Sequence, residues 1–263
     1  MKKVLTTLFL MVLLVVGSKS IAQNWNSTFV QAYYGTQYDD DKILNNPVDG
    51  KMTTVTLQHA SSWKYGGNFF FINYYMAPNG FMGFDSEGNL VETSNKNRLY
   101  SEWSPYLSLS KVLGQEVSFG PVADVSLEGS LNIGNDFRAG LAGIGFTFKA
   151  PQGTFLKLIG YYRNDNFYEA TTQITGAWDI PIWKRAGIRF EGFIDVIPQE
   201  TSDFGVDYGT DVLSQARLLV DIGRHFVFKE DNANKLELGI DWYNHFNKIT
   251  ETSVPQVAVR WTW

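Results

Sequence analysis

The side chains best able to do chemistry in this sequence are charged and aromatic ones set two residues apart. Arg189, Glu191, Phe193 and Asp195 share one parity, and Asp124 and Glu128 share another. The same spacing gathers Tyr100, Glu102 and Tyr106, then Lys157 with Tyr161, Arg217 with Asp221, and Glu237 with Asp241 and Tyr243; Arg260 follows near the end. Side chains two apart in an extended chain point to one face, so each group would be presented together. Carboxylates accept hydrogen bonds from hydroxyls, and a flat ring stacks on an aromatic one at about 1–3 kcal/mol. A small polar solute with a ring could be held weakly along such a face. The same residues could instead pair with one another and brace a filled interior.

Covalent and metal chemistry find no support. The chain has no cysteine, and His59, His225 and His245 stand in no metal-binding spacing. No GxSxG elbow or phosphate-binding loop occurs. His59 beside Ser61 and Ser62 is the nearest approach to a base and nucleophile, and it fits better as an ordinary interfacial or luminal histidine. Asp39, Asp40 and Asp41 could attract calcium, but their spacing is not that of an EF-hand, and a solvated charge run fits better. Neither a catalytic residue, a metal site nor a cofactor is expected.

Strands must position the charged groups. Beyond residue 22 one unit recurs about twelve times: roughly ten residues of alternating character, then a turn cluster. The segments are 25–34, 52–63, 68–76, 98–110, 117–133, 138–148, 154–162, 170–178, 188–196, 212–222, 236–245 and 256–263. In the ninth, Ile188, Phe190, Ile194 and Val196 oppose Arg189, Glu191, Phe193 and Asp195. In the fourth, Leu99, Trp103, Leu107 and Leu109 oppose Tyr100, Glu102, Ser104, Tyr106 and Ser110.

A soluble sandwich would alternate in the same way, and three features argue for a membrane barrel. Many segments run 9–11 residues, the span of a tilted membrane strand, where ordinary strands have about 5–6. The polar faces carry charge, which a wet interior tolerates. Trp25, Trp63, Trp103, Trp178, Trp242, Trp261 and Trp263 fall near segment ends, as in an aromatic girdle. An even strand number puts both termini on the periplasmic side, so 35–51, 77–97 and 198–211 become the long outer connections.

Residues 1–22 fit a cleaved secretory signal: Lys2 and Lys3, an apolar run over 4–16, and Ser20-Ile21-Ala22 before the cut. Its removal takes three of 22 basic residues and no acid, leaving 19 against 27, a net of −8. That sign argues against nucleic acid as a partner. Residues 23–263 are expected to form an all-β fold, a closed, antiparallel, up-and-down transmembrane β-barrel in the outer membrane of a Gram-negative bacterium. Its partners would be the lipid bilayer with lipopolysaccharide and the barrel-insertion machinery.

Four phrases add a family resemblance: YSEWSPYLSLSKVL at 100–113, SFGPVADV at 118–125, TTQITGAW at 171–178 and FEGFID at 190–195. They resemble, in order, the Tsx/OmpK family of nucleoside-specific outer-membrane channels, over roughly residues 98–263. The final Trp263 also resembles the terminal aromatic read by the insertion machinery in such proteins. The resemblance implies a twelve-stranded channel for nucleosides or similar small polar solutes. Mixed luminal charge suits neutral solutes better than a one-signed ion filter. The alternative is a structural or adhesive barrel with a filled lumen and no transport.

Overall fold

A computed structural model describes residues 23–39, 46–84, 90–224 and 235–263. In chain order the strands are β1 (Gln23–Gly35), β2 (Met52–Trp63), β3 (Gly66–Met76), β4 (Met82–Phe84), β5 (Leu90–Glu92), β6 (Asn97–Ser108), β7 (Val122–Gly134), β8 (Arg138–Phe148), β9 (Phe155–Asp165), β10 (Thr171–Trp183), β11 (Ile188–Thr201), β12 (Asp207–Asp221), β13 (Leu236–Phe246) and β14 (Glu251–Thr262). Among the described residues β4 and β5 form a two-stranded sheet of their own, and the other twelve strands close into one barrel. Each barrel strand runs antiparallel to its neighbours, and β1 meets β14 from Phe29 opposite Thr262 to Gly35 opposite Gln256. The shortest barrel strands have 11 residues. At about 3.3 Å per residue and a tilt near 40°, that spans roughly the height of a bilayer's apolar band.

Exposure separates the two faces of the wall. Leu127, Ile194, Leu218, Ile240, Val257 and Val259 are exposed. Next to them in sequence, Glu128, Arg217, Asp241, Gln256 and Arg260 are buried. At one step the contrast is 46% exposure for Leu218 against 9% for Arg217. A soluble protein buries its leucines and solvates its arginines; here the order is inverted, as lipid outside and polar groups inside require. The chain is therefore an outer-membrane β-barrel. Exposed Trp183, Trp261 and Trp263 mark the end that carries the termini, with Tyr34, Tyr74, Tyr162 and Phe246 toward the loop end.

Three expectations are corrected. Trp103, Trp178 and Trp242 lie in mid-strand: β10 runs on to Trp183, past the end read at 178, and Trp103 and Trp242 sit near the middle of β6 and β13. β6 stops at Ser108, whose side chain caps a short helix, α1 (Leu109–Leu113), by accepting the Lys111 N–H at 3.2 Å. Leu109 and Ser110 therefore leave the wall, and β7 starts at Val122 rather than 117. Residues 198–211 do not form a long loop: β11 runs to Thr201 and β12 begins at Asp207. Pro198 sits where the β11–β12 register slips between Ile197 and Glu200, and an irregular register is where a strand tolerates proline.

A charge on the outer face would have to enter lipid. Val257→Arg, at an exposed position midway along β14, is expected to cost about 2–4 kcal/mol. Urea unfolding of the barrel in lipid vesicles, followed by tryptophan fluorescence, measures this; an unchanged midpoint would refute the lipid-facing assignment.

Candidate functional site

Contacts between non-neighbouring strands can form only inside the barrel, and they define the lumen. Glu191 on β11 binds Arg217 on β12 (Nη1–Oε1 3.1 Å) and also Arg260 on β14 (Nη1–Oε2 2.9 Å). Arg217 Nε donates to Asp241 Oδ2 at 2.7 Å. Arg260 Nε donates to Gln31 Oε1 on β1 at 2.8 Å, and its Nη1 lies 3.5 Å from Glu237. Arg189 bridges Asp179, Glu191 and Glu237. Two β1 rings complete the set: Arg260 lies 3.9 Å over Phe29 and Arg217 5.7 Å over Tyr33. Asp221, at the terminal end, pairs with Arg224 and accepts its backbone N–H. Arg260, Glu237, Asp241 and Asp221 are at most 1% exposed. One side of the lumen, from β11 round to β1, is filled by this network.

The other side is looser. Lys157 pairs with Glu128 at 2.7 Å and sits 4.1 Å over the Tyr106 ring. Tyr106 lies across Gly67, where a Cβ would come within 2.6 Å of its ring. Tyr161 likewise covers Gly143 and joins Phe137, Ala139, Leu141 and Ile159 in a buried cluster. Tyr100 Oη donates to Glu102 Oε1 at 2.5 Å, and Asn132 Nδ2 donates to both. Asp195 accepts from Thr175 at 2.6 Å, and Asp124 from Ser110 Oγ at 2.6 Å. Phe193 lies on β11 in the phase of Glu191 and Asp195. The rings of Phe69, Phe71 and Tyr100 follow one another at 6.0 Å centroid spacing, each partly exposed.

The mouth at the loop end is narrowed from above. Tyr38, in the connection after β1, turns inward and donates its hydroxyl to Gln256 at 2.6 Å. Burial, with Asp241 adding to it, pushes the ionisation of that hydroxyl up and keeps it a donor. Tyr38 packs with Met52, Tyr75, Phe81, Tyr243 and Val254. Phe81, from the β3–β6 connection, is fully buried under the Arg98 guanidinium. The two connections are stitched together by Val48 N–H to Gly80 and Met82 N–H to Asn46. Asp39 accepts from Thr252 through its backbone carbonyl; Asp40 and Asp41 lie outside the described residues.

All seventeen charged and aromatic residues expected on the polar faces lie at inward-facing strand positions, but in separate groups. The network of Arg189, Glu191, Arg217, Glu237, Asp241 and Arg260 is one; Glu128, Lys157 and Tyr106 form another, and Tyr100 with Glu102 a third. Asp179, Gln31, Arg163 and Tyr33 were not singled out. Asp179 keeps the phase of Gln173 and Thr175 along β10, and Gln31 and Tyr33 keep that of Phe29, so the alternation carried the signal. His59 and Ser61 face outward and Ser62 inward; His59 Nδ1 meets Thr28 Oγ1 at 2.7 Å and its ring stacks on Phe70. His225 lies outside the described residues. Among the described residues no three acidic or histidine side chains converge as metal ligands.

Neither a family model nor a curated protein matches the chain. Among solved structures it is similar to a KdgM porin (8% identity, covering 91% of this chain and 99% of that one, TM-score 0.48) and to a KdgM porin in complex with disordered oligogalacturonate (9%, 89% and 99%, TM-score 0.47). It is also similar to a BenF-like porin from Pseudomonas fluorescens Pf-5 (7%, 93% and 98%, TM-score 0.43). The phrases resembling the Tsx/OmpK family fall on β6 with α1, on the approach to β7, on β10 and on β11.

Removing one partner of a buried ion pair strands the other. Arg260→Gln is expected to cost about 3–5 kcal/mol, because Glu191 and Glu237 lose their shared cation. Lys248→Gln, in an exposed pair with Asp207, should leave the unfolding midpoint in place. Equal midpoints for both variants would show that the inner network does not hold the barrel.

Proposed function

We propose that this barrel is a passive outer-membrane channel for small polar solutes, nucleosides among them. The observation that carries the reading is the looser half of the lumen, where Phe69, Phe71 and Tyr100 run beside Glu102 and face the Thr175–Asp195 pair. A base can stack on those rings while ribose hydroxyls donate to the carboxylates. Several weak contacts in succession let a solute enter and leave. No energy source is needed. The filled barrel without transport is favoured by one feature, the ion network together with the Tyr38 and Phe81 cover.

Liposome swelling separates the two. Reconstituted protein should admit adenosine and arabinose above empty vesicles, and no uptake of either would leave the filled barrel. Replacing Phe71 and Tyr100 by Ala should lower adenosine binding in the pore by roughly fivefold or more, since each stacked ring contributes about 1–3 kcal/mol. Arabinose, which has no flat base, should pass as before or faster.

A further inference from the structure

The charges of the lumen do not cancel once they are paired off. Arg189, Arg217 and Arg260 are each shared among two or more carboxylates, Lys157 is held by Glu128, and Arg163 by Asp165. At the loop end Arg98 is turned onto the Phe81 ring and donates to the Met82 carbonyl. Glu102, Asp124 and Asp195 are luminal carboxylates outside these ion pairs; Asp211, at the loop end, is held by His245 and Asn247. Tyr100 and Asn132 hold Glu102, Ser110 holds Asp124, and Thr175 holds Asp195. Hydroxyl and amide donors orient a carboxylate and favour its ionised form over its neutral one.

They stand at different heights. Asp124, near the terminal end, lines an open depression with Ser110, Lys111 and Glu116. Glu102 lies midway along β6. Asp195 comes from β11, five strands round the barrel, on the wall across from Glu102. A low-dielectric wall concentrates the field of such groups, and carboxylates lining a pore select cations. The Tyr100 ring beside Glu102 adds an attractive face for an ammonium group.

We infer that this lumen passes cations in preference to anions, with Glu102 and Asp195 setting the preference, so that small ammonium-bearing solutes are its favoured charged class. The inference rests on the channel reading and revises the expectation of indifference to charge.

The test is the reversal potential of the reconstituted protein in a planar bilayer under a potassium chloride gradient. The wild type should favour potassium over chloride by about threefold or more, the ratio set by a luminal potential of one or more kT. The double variant Glu102→Gln, Asp195→Asn should bring the ratio close to unity. Lys157→Met, which frees Glu128, should move it the other way. Heat-shifted migration on a gel confirms that each barrel is folded, and if the double variant fails that check, Glu102→Gln alone should still reduce the ratio. Conductance without cation preference, or a preference unmoved in both directions, overturns this inference and leaves the channel standing. No conductance in the wild type overturns both.

Discussion

Lipid offers no hydrogen bonds, so every backbone N–H and C=O that crosses it must be paired within the protein. A sheet meets that demand only by closing. The β1–β14 seam does this here, and the rest follows from it. With no edge left, each strand has one face for lipid and one for the lumen. The alternation of Leu218 with Arg217, or Val259 with Arg260, is what that division looks like in sequence.

The fold was legible because period two and strand length survive in a single sequence. β2 and β8 begin and end where their alternation does. Boundaries failed where a local cap outcompeted the pattern. Ser108 to Ser110 continue the polar-apolar rhythm, yet Ser108 caps α1 and Ser110 turns back to Asp124. Pro198 resembled a strand end and proved to sit at a register slip.

The candidate site was legible in one dimension only. Alternation told which side chains look inward, and it placed Glu191, Arg217 and Arg260 correctly. It could not tell that Glu191 joins both arginines, because that depends on the stagger of strands three apart. Nor could it foresee Tyr38 descending into the mouth, since a connection has no period to read. The resulting interior is uneven. One wall is tied up in mutual charge pairs, while the opposite wall keeps rings and, beside the Lys157–Glu128 pair, the Glu102 carboxylate held by hydroxyl and amide donors.

The seam also governs how such a chain can be made. Every other barrel strand finds its partner next along the chain, but Gln31 waits for Arg260, 229 residues later. Until β14 emerges, β1 offers an unsatisfied edge to any passing strand. Ring closure is the contact of longest range and so the one most delayed by chain entropy. Closing the ring therefore has to wait for β14, the strand that carries Arg260.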